Sequence, residues 1–156
     1  RNLSNQANTL TKTSYSLLYI NELLIKLLPK DAQQEDLFNL YEQFLKKVNN
    51  DSNLELTLRH FELDLLDMLG YGFDYDSEID NQKPIEINSS YSFVSERGFR
   101  KSNNSNFLGK DILSLKNRNL EEVPLKYLKE ITTKAINSCL DGRDLTSRKI
   151  FRTIKQ

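Results

Sequence analysis

A chain of 156 residues with 38 % apolar and 28 % charged side chains has the length of one domain and enough apolar material to bury a core. Its single cysteine, Cys139, excludes an internal disulfide and suits a reducing cytosol, and there is neither a run of about 18 apolar residues to cross a membrane nor a secretory leader, so a cytoplasmic location is expected. Lys plus Arg equals Asp plus Glu at 22 each, but residues 1–96 hold 8 basic against 16 acidic side chains and residues 97–156 hold 14 against 6. Such a split suits either a basic, polyanion-facing part on an acidic scaffold or two halves that attract each other in the fold.

In chain order, residues 1–8 read as a linker or frayed end. Apolar residues at helical spacing predict a helix from about Thr9 to Leu28, stopped by Pro29, and a second from about Glu35 to Val48. After the polar turn at Asn49–Asn53, Ser52 and Glu55 fit a capping box, and Gly70 stops a third helix near Leu69. Leu54, Leu58, Phe61, Leu65 and Met68 give this helix one apolar face. Leu56, Leu63 and Leu66 give it a second, so it is expected to be central, packed by several others.

Beyond Gly72 the chain is acidic and irregular to Pro84. Ile85–Ile87 and Tyr91–Val94 read as short strands, with Gly98–Arg100 returning as a hairpin through Ser95–Gly98. A short helix is predicted over Lys110–Lys116, another from Pro124 to about Leu140 with Gly142 as its stop, and a last one over Thr146–Ile154 with Ile150, Phe151 and Ile154 inside. The expectation is a mainly α bundle of about six helices with a small β-hairpin insertion.

The chemical signals are sparse. Asp74, Asp76, Glu78 and Asp80 alternate like the start of a calcium loop, but Ile79 and Ile85 stand where such a loop needs glycine and an acid. His60 and Cys139 are single residues on different helices, and no phosphate-loop, dinucleotide, serine-elbow or Cys-x-x-Cys motif is present, which argues against an enzyme. No cofactor, metal or small-molecule substrate is expected. The basic final third is more informative. Arg97, Arg100 and Lys101 flank the hairpin beside Tyr91, Phe93 and Phe99, and Arg143, Arg148, Lys149, Arg152 and Lys155 run along the last helix and the loop before it. Cations interleaved with aromatics suit a phosphate backbone with some base stacking. Arg59 stands inside the second apolar stripe of the third helix, within reach of Glu55 and Glu62. It forms either an internal clamp or a guanidinium at the rim of an apolar groove.

Three blocks together resemble the C-terminal region of the RecO family of bacterial recombination mediators. Leu17–Leu24 (LLYINELL) resembles Y-[IL]-N-E-L-L, Leu58–Gly72 (LRHFELDLLDMLGYG) resembles L-R-x-F-E-x-x-L-L-x-x-L-G-Y, and Gly142–Phe151 (GRDLTSRKIF) resembles G-x-x-L-x-S-R-x-[LI]-[FL]. Glu96–Phe99 also fits the family's E-[RK]-G-F core. The resemblance runs from about Thr9 to Ile154 and implies a domain over 9–156, with 72–106 as a zinc-finger-like insertion. Many members carry four cysteines there; Phe73 to Ser102 has none, so no zinc is expected. It further implies a repair and recombination mediator that binds single- and double-stranded DNA, anneals strands, works with RecR, binds single-stranded DNA-binding protein and promotes RecA loading. Members carry an OB-fold ahead of these helices, and this chain begins where it would end. The acidic tail of single-stranded DNA-binding protein ends in Phe with a free carboxylate, which makes Arg59 its expected carboxylate receptor and Leu56, Leu63 and Leu66 the expected seat of its ring.

Overall fold

The computed structural model describes the backbone of residues 2–31, 33–50 and 53–155 and the side chains of residues 11–31, 33, 35–48 and 53–150. In order, it contains α1 (Asn2–Leu27), α2 (Gln34–Asn50), α3 (Leu54–Met68), β1 (Tyr91–Val94), β2 (Gly98–Lys101), α4 (Gly109–Lys116), a 3-10 turn at Leu120–Glu122, α5 (Leu125–Leu140) and α6 (Thr146–Lys155). Helix covers more than half of the chain and the sheet is a single two-stranded hairpin, so the class is mainly α with a β-hairpin. The chain divides into two compact units, one of Arg1–Leu58 with Leu140–Gln156 and one of Arg59–Cys139.

In the first unit, α1 starts at Asn2 rather than near Thr9, so residues 2–8 are helical where a linker was expected. Neither glycine nor proline interrupts the chain before Pro29, so nothing local breaks the helix earlier. Ile20, Leu23 and Leu24 of α1, Phe44 of α2, and Leu140 and Leu145 are buried in this unit. The cap of α3 differs from the expected box: Asn53 Oδ1 accepts the Leu56 N–H at 3.2 Å, while Ser52 lies outside the described residues. On α6, Ile150 is 37 % exposed rather than inside, and the Phe151 and Ile154 side chains lie outside the described residues.

In the second unit, α3 buries Phe61 and Leu65 of one apolar stripe and Leu63 and Leu66 of the other. Its end is the expected glycine stop. Gly70 takes φ +82°, its N–H bonds to Asp67 O, and the Tyr71 N–H bonds back to Leu66 O at 2.9 Å, the pairing of a Schellman motif. The hairpin pairs Tyr91 with Lys101 and Phe93 with Phe99. Ile85–Ile87 is not a strand. Pro84 cannot donate to a ladder, and the polar groups beyond it go elsewhere: the Ile85 N–H to Asp76 O, the Glu86 N–H to Tyr91 Oη at 2.8 Å, and Ile87 O to the Lys110 N–H.

The insertion has a core of aromatic rings. Phe73 meets Phe93 edge-on at 4.9 Å, Phe93 meets Phe99 at 5.7 Å, Phe99 meets Phe107 at 5.9 Å, and Phe107 meets Tyr127 of α5 at 5.1 Å. Each buried ring is worth about 1.5–3 kcal/mol of transfer free energy and each ring pair about 0.5–1.5 kcal/mol more, enough to hold a four-residue hairpin that could not stand alone. Gly109 is required where α4 begins, because a Cβ there would lie 1.9 Å from Glu86 O.

Candidate nucleic-acid and partner interface

On α3, the Arg59 side chain is only 13 % exposed. Its Nε lies 2.9 Å from Glu62 Oε1, whose side chain is 1 % exposed, and its Nη1 donates to Thr132 Oγ1 of α5 at 3.2 Å. Glu62 sits one turn away in a setting that would not tolerate a lone carboxylate. Of the residues expected to seat a partner's aromatic ring, Leu63 and Leu66 are each 1 % exposed and belong to the core, whereas Leu56 is half-buried. The geometry is that of the internal clamp.

On the hairpin, Arg97 is exposed at the turn. Arg100 grips Asp80 with two hydrogen bonds, at 2.9 and 3.3 Å, and Lys101 meets Glu86 at 3.3 Å. Both pairs face solvent, with side chains roughly half exposed. Tyr91, Phe93 and Phe99 are 1 %, 9 % and 0 % exposed, so they build the insertion's core and have no faces left for base stacking.

The alternating acids do not converge on a metal. Asp74 accepts the N–H groups of Asp76 and Ser77, Asp76 pairs with Lys116 at 2.7 Å, and Asp80 pairs with Arg100. Glu78 accepts the N–H groups of Asp80, Asn81 and Lys83; burial opposes its ionisation, but these three bonds outweigh it and hold its carboxyl below the usual range. Among the described residues no group of three or more His, Cys, Asp or Glu side chains is placed to hold a metal ion. His60 Nε2 rests on Asp64 at 3.1 Å, and burial, with Glu96 nearby, pushes the Cys139 thiol up, away from a reactive thiolate.

Between α5 and α6, Arg143 is exposed, but its guanidinium bonds main chain. Its Nε donates to Leu140 O at 2.7 Å and its Nη1 to Lys26 O at 2.8 Å, so it satisfies carbonyls at the ends of α5 and α1. Arg148 is half-buried, Lys149 is exposed and lies 3.6 Å from Asp144, and the Arg152 side chain lies outside the described residues.

Two residues matter that sequence reasoning did not single out. Arg118, with a left-handed backbone at φ 58°, bonds Asp64, Asp67, Tyr75 Oη and Leu115 O. Burial disfavours its charge, yet these partners raise its pKa further. The second is Glu22, whose carboxylate takes the N–H of Thr146 at 2.8 Å and both the N–H and the hydroxyl of Ser147, at 3.0 and 2.8 Å. Burial pushes its pKa up, but these bonds and the charge of Lys26 bring it down to about 2. Ser147 therefore anchors the start of the last helix on Glu22. Only the helix start at Thr146 was legible; its carboxylate partner lies 124 residues away.

This is a helical domain with an aromatic-cored hairpin insertion, and exposed cations stand on that hairpin and on α6 among other places. The family described as "Recombination protein O C terminal" matches residues 9–145. The chain is 32 % identical over 142 residues to the DNA repair protein RecO of Pseudoalteromonas atlantica, covering 88 % of this chain and 59 % of that protein. It is 37 % identical over 143 residues to that of Pectobacterium atrosepticum, covering 88 % and 58 %, and 36 % identical over 143 residues to that of Serratia proteamaculans, covering 88 % and 59 %. The chain belongs to the RecO family. It spans about three fifths of the length of these curated relatives.

Proposed function

We propose that this chain is the helical, DNA- and partner-contacting part of a cytoplasmic, non-catalytic mediator of DNA repair and recombination. The observation that carries the reading is family membership over residues 9–145, in relatives named as DNA repair proteins. It is supported by the placing of Arg97, Arg100, Lys101 and Lys149 at the surface, where a phosphate can compete with the carboxylates that Arg100, Lys101 and Lys149 now hold. In this reading the basic residues Arg97, Arg100, Lys101, Arg148, Lys149 and Arg152 contact single- or double-stranded DNA, and Arg143 holds the loop that presents the last three. Strand annealing, work with RecR and RecA loading are proposed for the whole protein of which this domain is part. The test is anisotropy of a labelled single-stranded oligonucleotide across a salt series. Neutralising Arg148, Lys149 and Arg152 together is expected to flatten the dependence of log affinity on log salt, and an unchanged slope would move the site off α6.

We also propose that α3 receives the acidic, Phe-ending tail of single-stranded DNA-binding protein at Arg59. The tail's carboxylate would have to displace Glu62 from the guanidinium, and its ring would have Leu56, rather than the buried Leu63 and Leu66, as open apolar surface. A charged hydrogen bond of this kind is worth about 1.5–3 kcal/mol, so folded Arg59→Ala is expected to bind a tail peptide about ten- to a hundredfold more weakly by calorimetry. Unchanged affinity in the folded variant would leave Arg59 as the clamp alone.

A further inference from the structure

The last helix is held by its first turn, and the hold comes from α1. Glu22 fills three donors at the start of α6. Lys26, one turn further along α1, meets Glu22 at 3.4 Å and donates to Asp144 O in the loop before α6. Arg143 returns a bond from that loop to Lys26 O at 2.8 Å. Helix and loop are thus tied to α1 by a reciprocal set of charged and main-chain bonds, while α6 itself presents Lys149 to solvent and carries Arg148 half-buried. The Glu22 side chain is 16 % exposed and both of its oxygens accept hydrogen bonds from inside the fold, so it has no open face for a ligand.

We propose that Glu22 is a positioning residue for nucleic-acid binding: it touches no DNA, but by capping α6 it sets the orientation in which the cations of that helix meet phosphates. The inference rests on the DNA reading of α6 given above. A first turn that loses its cap frays, and cations on a fraying turn no longer present a fixed pattern of charge to a backbone of fixed phosphate spacing. Glu22→Gln keeps the shape and removes the charge; Ser147→Ala removes one of the three donors and leaves the carboxylate.

The test has two readouts on the full chain. The first is amide hydrogen exchange without DNA. Glu22→Gln is expected to speed exchange at residues 147–150 by about fivefold or more while α5 amides keep their wild-type rates, with Ser147→Ala giving a smaller change in the same direction. The second is oligonucleotide affinity in a double-mutant cycle, measured well below the melting temperature. Glu22→Gln is expected to weaken binding about three- to tenfold alone and to have no further effect once Arg148 and Lys149 are both glutamine, because it acts only through them. An equal loss in both backgrounds would show a general structural role and overturn the proposal. So would wild-type exchange in Glu22→Gln with wild-type DNA binding intact, and that outcome leaves the DNA reading standing. A wild-type chain without salt-dependent binding overturns both the DNA reading and this inference.

Discussion

Arg59 and Arg100 are both arginines paired with a carboxylate, and they do opposite things. Arg59 is 13 % exposed, meets a Glu62 that is 1 % exposed, and lies between two helices of one unit. Arg100 is 42 % exposed and meets an Asp80 that is 43 % exposed. Removing one partner of the first pair takes an opposite charge from a buried group, whereas the second pair is screened and exchanges readily with outside anions. Arg118 belongs with Arg59, and Lys101 belongs with Arg100. The same residue type is held inside the fold in one place and left at the surface in another.

The contrast can be broken by substitution. The largest effect is expected not from a charge but from Gly109→Ala, whose Cβ would collide with the Glu86 carbonyl. Separating α4 from the segment at Glu86–Ile87 should cost about 3 kcal/mol or more, visible as a drop in the denaturant midpoint; a midpoint within error of wild type would show that the insertion is not fastened there. Arg118→Leu is expected next. It leaves Asp64 with only His60 and Asp67 without its cation, and should destabilise by about 2–4 kcal/mol in a thermal melt. Arg59→Ala should cost about 3 kcal/mol because the buried Glu62 carboxylate loses the cation 2.9 Å from it, and Arg59→Ala with Glu62→Ala should recover part of the loss.

A smaller, pH-dependent effect is expected at Glu22. Its folded pKa of about 2 lies below the ordinary 4.5. The stability it contributes is therefore fully present above the ordinary value and is lost as pH falls through the folded one. Melts of wild type and Glu22→Gln should differ most above about pH 4.5 and converge toward about pH 2, and a gap that stays constant across that window would contradict the assignment. Arg100→Gln should barely move stability, by less than about 1 kcal/mol.

How much of this was legible from sequence follows from the range of the interactions. The helices apart from the start of α1, the Gly70 stop and the Tyr91–Lys101 hairpin depend on neighbours within a few residues, and they read correctly. The Ile85–Ile87 strand misread because an apolar run after Pro84 resembles a strand, while its backbone bonds go to Asp76 and Lys110. The charge split was legible but its use was not. Asp76 with Lys116, Asp80 with Arg100, Glu86 with Lys101, and Asp64 and Asp67 with Arg118 all join the acidic stretch to the basic one, so part of the asymmetry is consumed inside the fold. Glu22 on Ser147 and Arg143 on Lys26 span more than a hundred positions, and no local pattern announces them. Exposure, which separates Arg100 from Arg59, is a property of the folded chain.

The distinction is tested most directly by the salt dependence of single-stranded oligonucleotide binding in Arg97→Gln/Arg100→Gln/Lys101→Gln, compared with wild type. Each phosphate contact contributes about 0.7 to the slope of log affinity against log salt for single strands, so the triple variant should lose about 2 from that slope while its melt stays close to wild type. An unchanged slope, or a collapse in stability, would place these three cations with Arg59 rather than at the DNA.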